Sequence, residues 1–223
     1  MQFKPTLLAL AIGFTAMSAH AATIQNGDTL TIAKGTGTAT SSVFLPTGGS
    51  YFKMLGSGGA LVNPGTAAGI TLGGTSTAGQ YDNWTFFFKA GADFASKPIS
   101  VISPTQINFD GWFVNYNGAN IDMTGGAWQV NSKTGQPVSG DYVAGPYTNG
   151  VANFSWDGNY AHAYTLTYHA TVPTNVPGFG GIQYDLNLTG NVIAAPVPEA
   201  STYGMMVVGL GLVGAAVMRR RKV

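Results

Sequence analysis

Apolar and polar residues alternate most regularly in two stretches near the end of the chain, residues 160–172 and 182–194. In an extended strand, successive side chains point to opposite faces of a sheet. The first stretch therefore places Tyr164 and Leu166 on one face and threonines on the other, and the second stretch repeats this pattern. The proline- and glycine-rich residues 173–181 lie between them. The pattern predicts a long antiparallel hairpin with one buried and one solvated face.

Shorter alternating runs, separated by glycine, Asn-Gly and Asp-Gly, predict further strands upstream. These runs are residues 28–33, 51–55, 83–89, 105–117, 127–130 and 151–156. Within the fourth run the apolar phase shifts at Asp110-Gly111, which indicates a turn or a bulge. No run before Ser201 has a helical apolar period over three turns. The chain is therefore predicted to be all-β, an antiparallel β-sandwich of which the jelly roll is one form.

The N-terminus has the order of a secretory signal peptide. Lys4 supplies the positive region, residues 7–17 the apolar region, and Ala19 and Ala21 the small residues of a cleavage site. We expect a signal peptide over residues 1–21 and a mature chain that begins near Ala22.

Between residues 22 and 196 the chain has five lysines, no arginine, eight aspartates and no glutamate, so its net charge is −3. Nucleic-acid binding is not expected, because it depends on clustered Lys and Arg at the phosphates. The chain has no cysteine, which excludes disulfides, thiol catalysis and thiolate metal sites. No sequence motif indicates a cofactor.

The chain ends on an uncharged apolar stretch, residues 201–218, followed at once by Arg219, Arg220, Arg221 and Lys222. A helix of this length would be about 27 Å long, enough for the hydrocarbon core of a bilayer. Cations beside an apolar span stay on the cytoplasmic side. The pattern predicts a transmembrane helix with the β domain outside and the arginines as a stop-transfer signal.

Val197, Pro198 and Glu199, the apolar span and the terminal arginine cluster together resemble the PEP-CTERM sorting signal. This signal occurs on exported proteins of Gram-negative bacteria that make exopolysaccharide. The resemblance implies a sorting signal over residues 197–223 that an exosortase, a membrane-embedded thiol enzyme, recognises and cuts near the Pro-Glu element. Ala200 stands where the family usually has a second proline.

Candidate catalytic groups are few. His162 and His169 are seven residues apart in a predicted strand, which places them on opposite faces and excludes a shared metal ion. Asp110 and Asp157 each precede glycine, and a turn is the favoured interpretation of both. Leu45-Pro46-Thr47-Gly48 is also interpreted as a turn.

The tryptophans are the remaining candidates for a binding site. Trp84, Trp128 and Trp156 have polar neighbours, and an indole beside amide groups can stack on a sugar ring. The alternative, which we favour, is that these rings fill the core of the sandwich, as we expect for Trp112 above all.

Three functions remain open. The first is a non-enzymatic exported protein of the cell surface or extracellular matrix, associated with exopolysaccharide or biofilm. It would cross the inner membrane, be processed by an exosortase and remain at the envelope, or stay a single-pass membrane protein if it were not processed. The second is a carbohydrate-binding module that recognises exopolysaccharide. The third is a secreted hydrolase that uses two aspartates, since no glutamate precedes residue 197.

Overall fold

The structure is a computed structural model that describes residues 21–40, 43–54, 58–123, 150–173 and 175–196, together with Met206 and Leu210. The predicted signal peptide up to residue 20, the predicted strand 127–130 and most of the predicted sorting signal lie outside these residues. Among the described residues no helix is long and apolar enough to cross a membrane.

The described residues form sixteen strands. They are β1 (Thr29–Leu30), β2 (Thr36–Thr40), β3 (Val43–Gly48), β4 (Tyr51–Met54), β5 (Gly58–Leu61), β6 (Asn63–Pro64), β7 (Ile70–Thr71), β8 (Asp82–Phe86), β9 (Lys89–Ala95), β10 (Ser100–Ser103), β11 (Gln106–Asn108), β12 (Trp112–Tyr116), β13 (Ala119–Asp122), β14 (Val151–Ser155), β15 (Ala163–Thr171) and β16 (Gln183–Ile193). Every described pair of strands is antiparallel.

Two sheets of the described residues face each other. The larger has the order β10-β11-β14-β15-β16-β1-β7, with β4 beside the first half of β16 and β5 beside β4. The smaller has the order β13-β12-β9-β8-β6, and β2 and β3 form a separate ribbon. One core cluster contains buried residues of both sheets. The predicted all-β antiparallel sandwich is confirmed.

The predicted hairpin near the C-terminal end is confirmed as β15 and β16, which pair over nine positions from Ala163↔Asn191 to Thr171↔Gln183. The apolar face of both strands is buried in the alternating order that the sequence predicts. The phase shift in run 105–117 is a turn at Asp110 and Gly111. It passes the chain from β11 in the larger sheet to β12 in the smaller one.

The interpretation of residues 45–48 as a turn is wrong, because Pro46 lies within β3. β3 pairs only with β2 among the described strands, and the register shifts between Thr36 and Gly37, where Pro46 faces Gly37. Proline lacks an N–H and is tolerated at such an edge or irregularity. The sequence pattern did not show that this ribbon exists.

Aromatic side chains from both sheets fill the centre of the sandwich. The Phe52 ring lies 4.4 Å from the ring of Trp84, and 5.4 Å from those of Phe86 and Tyr184. Gly91 lies opposite Trp84 on the neighbouring strand, and a Cβ at residue 91 would overlap the Trp84 indole. The indole therefore occupies the space that a side chain on Gly91 would need.

Two carboxylates, Asp82 and Asp93, are buried in this core at 0% exposure. The backbone N–H of Asp93 donates a hydrogen bond to Asp82 Oδ1 at 2.8 Å. The Tyr184 hydroxyl, from the opposite sheet, donates to Asp93 Oδ1 at 3.0 Å. Burial raises the pKa of Asp93 to about 7, and burial together with the nearby Asp93 raises the pKa of Asp82 well above its usual value. The pair therefore retains a proton at pH values where an exposed aspartate has lost it.

This pair predicts that stability falls as the pH rises. The pKa of each of these carboxyl groups is higher in the folded state than in the unfolded state, where it is about 3.9. The resulting stabilisation is fully present below the unfolded pKa and is lost as the pH rises through the folded pKa. We expect the thermal midpoint to fall between about pH 4 and pH 8, and Asp93→Asn to reduce that slope. Each pKa unit corresponds to about 1.4 kcal/mol. Asp110→Asn, an exposed control, should leave the slope unchanged, and equal slopes in all three proteins would contradict the account.

The close approach of Gly91 to Trp84 gives a second prediction. Gly91→Ala should lower the free energy of unfolding by about 1–3 kcal/mol, because the added methyl group displaces a packed indole. Chemical denaturation followed by tryptophan fluorescence measures the change. Gly48→Ala is the control, since its Cβ would meet only the Thr36 hydroxyl at 3.2 Å, and we expect a change within about 0.5 kcal/mol. Two equal changes would show that the close approach is unimportant.

Candidate functional site

The loop between β14 and β15, residues 156–162, is called here the Trp156 loop. Asn159 N–H donates to Asp157 Oδ1 at 2.9 Å, and Ala161 N–H donates to Asn159 Oδ1 at 3.0 Å. Gly158 between them has φ = +81°, a value that glycine adopts without a Cβ penalty. Two short polar side chains that bond to nearby backbone and one glycine therefore fix this loop, as the Asp-Gly-Asn sequence favours.

Two aromatic rings lie side by side on the Trp156 loop. The rings of Trp156 and Tyr160 are 5.1 Å apart at an angle of 62°, and the Trp156 Nε1–H donates to the Asn159 carbonyl at 3.0 Å. Trp156 is half-buried against the core, whereas Tyr160 is 41% exposed. The loop thus presents an aromatic surface whose indole N–H already has a partner.

The same loop holds an exposed Asp–His pair. His162 Nδ1 lies 2.5 Å from Asp157 Oδ2, with both side chains more than half exposed. The hydrogen bond with His162 lowers the pKa of Asp157. His162 Nε2 lies 3.4 Å from the Asn159 side-chain amide. In an Asp–His–nucleophile arrangement Nε2 would face a hydroxyl or thiol. Here it faces the Asn159 amide instead, so the pair contributes to the order of the loop.

A polar groove of about 360 Å³ lies beside the Trp156 loop on the larger sheet. Its polar lining consists of Thr105, Asn153, Ser155, Thr165 and Thr167. Ser155 faces Thr165 and Asn153 faces Thr167 across β14 and β15. Ser155, at one end of the groove, directly precedes Trp156 in the chain, so the Trp156 loop starts at this end of the groove.

The candidate tryptophans have different environments in the structure. Trp84 is only 4% exposed, and its ring stacks on Tyr116 at 5.8 Å, so the hypothesis that Trp84 is a surface platform for a sugar is wrong. Trp112 is fully buried, as expected. Trp128 lies outside the described residues. For Trp156, glycan stacking stays a prediction, now with Tyr160 as a neighbour that sequence reasoning did not consider.

The two histidines do not come together. His162 precedes β15 instead of lying on its buried face, because the Asp157 interaction holds it in the loop. His169 lies within β15, and its Nδ1 is 3.2 Å from Asp185 Oδ1 on β16. Among the described residues no three metal-ligating side chains form a group. The Asp157–His162 pair was missed because residue 162 was assigned to the strand. The Asp-Gly-Asn turn four residues earlier was the available signal.

Both ends of the described domain lie near the Trp156 loop. The Ala22 N–H donates to the Gly158 carbonyl at 3.1 Å, and Asn191, near the end of β16, pairs with Ala163, which directly follows the loop. Ala19 lies outside the described residues, as do Val197, Pro198, Glu199 and the cluster Arg219–Lys222. The chain therefore leaves the sandwich towards residues 197–223 from the end that carries the Trp156 loop.

Comparison with known protein families identifies one segment of the chain. Residues 196–222 match the family model described as the PEP-CTERM protein-sorting motif. No curated protein and no solved structure matches the chain. The matched segment begins three residues after β16 ends at Ile193, so it follows the last described strand directly. The chain carries a PEP-CTERM sorting motif at its C-terminal end and is an exported exosortase substrate, sorted to the cell envelope or surface through that segment.

Proposed function

We propose that this protein is a non-enzymatic component of the cell surface or extracellular matrix, where it binds exopolysaccharide through the Trp156 loop and the polar groove. The observation that carries the proposal is the aromatic pair Trp156–Tyr160 beside a groove lined by hydroxyl and amide groups. Export and C-terminal sorting bring such a surface to the place where exopolysaccharide accumulates.

Aromatic and polar groups match the two chemistries of a sugar. The C–H face of a pyranose ring is apolar and packs on an aromatic ring, whereas its hydroxyl groups exchange hydrogen bonds with hydroxyl and amide groups. Tyr160 provides an exposed ring, and the neighbouring Ser155 and Thr165 are exposed in the groove. The arrangement suits a chain of sugars that lies along the groove and ends on the aromatic pair.

Charge favours a binding mode based on stacking and neutral hydrogen bonds. Residues 22–196 have a net charge of −3 and contain no arginine. An acidic polysaccharide would be repelled weakly by the domain as a whole, and no lysine is among the described residues that line the polar groove. We therefore expect neutral glycan segments to bind better than uronic acid segments.

The positions of the aspartates support binding over hydrolysis. Glycoside hydrolysis needs two carboxyl groups about 5–9 Å apart that both reach the substrate. The closely spaced Asp82 and Asp93 are fully buried. The exposed Asp110 is paired with Lys97 at 3.1 Å, and Asp157 is paired with His162. An aspartate-dependent hydrolase is therefore the weaker proposal.

Electrophoresis in a gel that contains exopolysaccharide from the producing cells tests the proposal. The wild-type protein should be retarded, and Tyr160→Ala or Trp156→Ala should lose about 0.5–1.5 kcal/mol of binding, the contribution of an aromatic contact. Tyr160→Phe keeps the ring and should retain most of the retardation. Phe88→Ala removes an exposed ring far from the groove and serves as the control.

Two results would contradict the proposal. One is wild-type protein that is not retarded by any polysaccharide of the producing cells, or retardation that is equal in Tyr160→Ala and Trp156→Ala. The other is release of new reducing ends from the polysaccharide, lost on Asp157→Asn, which would show that the protein is a hydrolase.

A further inference from the structure

The turn between β8 and β9 has an unusual sequence for its geometry. Phe86 pairs with Lys89, so Phe87 and Phe88 form a two-residue turn, and their φ angles are +43° and +62°. Two-residue hairpin turns of this kind favour Asn-Gly, because L residues with bulky side chains are strained at positive φ. The adjacent hairpin of the same sheet follows that rule at Asn117-Gly118, with φ of +52° and +82°.

These two phenylalanines are also exposed. Phe88 is 88% exposed and Phe87 42% exposed, and the Phe87 ring touches the ring of buried Phe86 at 4.4 Å. The turn thus combines strained backbone with apolar side chains in water, and each feature opposes folding. Such a combination points to a role outside the fold.

The Phe87–Phe88 turn lies far from the Trp156 loop. The Tyr116 hydroxyl donates to the Phe86 carbonyl at 3.0 Å, and the Tyr116 ring packs on Phe179 of the β15–β16 connection at 5.5 Å. β16 starts from that connection and runs for 11 residues to Ile193, which is about 36 Å of extended chain. The turn therefore stands at the end of the sandwich opposite the chain exit.

The size of the exposed patch argues against a protein partner. Two phenylalanines offer about 150–250 Å² each, whereas a stable protein interface buries about 800 Å² per partner. The described residues around the turn offer a second copy of this chain little space for these rings. The apolar cavity beside the turn, lined by Phe86, Tyr116 and Phe179 among others, has a volume of about 20 Å³, too small for a phenyl ring.

A lipid surface fits the same features. The Phe87–Phe88 turn, called the tip below, is exposed and apolar, and exposed Lys89 follows it directly, with no carboxylate from residue 83 to residue 92. Aromatic rings enter the boundary between head groups and acyl chains, and a neighbouring cation attracts anionic head groups. We propose that the Phe87–Phe88 turn inserts into the surface of an anionic lipid bilayer. Lys89 acts there at direct contact, whereas the net charge of −3 of residues 22–196 is spread over the domain and screened beyond about 10 Å. The insertion does not depend on glycan binding and uses the opposite end of the domain.

Vesicle flotation tests the insertion with the full chain. The chain is held in phosphatidylcholine nanodiscs, which cover its apolar C-terminal segment, and mixed with vesicles of phosphatidylethanolamine and phosphatidylglycerol. The wild type should float with the vesicles. Replacing both residues by the sequence of the neighbouring turn, Phe87→Asn with Phe88→Gly, should weaken binding by at least about tenfold. The same double variant should have an unchanged or higher thermal midpoint, because Asn-Gly fits the turn.

Two control variants distinguish binding through the Phe87–Phe88 turn from binding through exposed apolar surface in general. Ile102→Ser removes another exposed apolar side chain, 51% exposed on β10, and should bind like the wild type. Lys89→Gln should weaken binding to anionic vesicles and leave the weaker binding to phosphatidylcholine vesicles unchanged. Equal flotation of wild type and double variant, or no flotation of the wild type, would overturn the proposal. The proposal would also be overturned if sedimentation velocity showed a wild-type dimer that the double variant does not form. That result would assign the tip to contact with a second copy of the chain.

Discussion

The hydrogen bond from Tyr184 to the buried pair Asp82–Asp93 is the contact on which the arrangement of the two sheets depends. A chain without cysteine must hold its sheets together by packing and hydrogen bonds alone. Tyr184 and Tyr168, both from the β15–β16 hairpin, donate to Asp93 and to the Met123 carbonyl on the side of the smaller sheet. A shift of either sheet would leave these polar groups buried without partners, which is costly. The hairpin therefore determines both the core and the relative position of the sheets.

The same hairpin was the part of the fold that the sequence predicted best, because its alternation continues over many residues. β9 could not be found in this way, since buried Asp93 interrupts its apolar face and Gly91 leaves space for the Trp84 indole. The burial of Trp84 could not be predicted from its neighbours in the sequence either. Its polar neighbour Asn83 lies on the outer face of the strand and gives no information about the inner one. Likewise, the Asp157–His162 pair depends on a turn that ends one residue before the strand was expected to begin.

The proposed glycan-binding surface and the proposed lipid-inserting turn lie at opposite ends of the sandwich. The aromatic pair of the Trp156 loop, the polar groove and the exit towards the sorting motif are at one end, and the strained Phe87–Phe88 turn is at the other. An exported protein built in this way could hold a glycan near its C-terminal end while its distal tip contacts a lipid surface. The sorting motif is one contiguous segment and is therefore recognised from local sequence, whereas the proposed binding surfaces depend on how the fold arranges separate loops and strands.

Intact mass is the most direct test of the account, measured on the protein from its own cells after separation of membrane, outer-surface and medium fractions. The account predicts a surface or medium species that lacks the N-terminal residues up to about Ala21 and is cut near Pro198-Glu199. Such a species would show that the sorting motif at residues 196–222 is read and that the β domain reaches the surface. A species that keeps Arg219 to Lys222 in every fraction, with none at the surface, would contradict it.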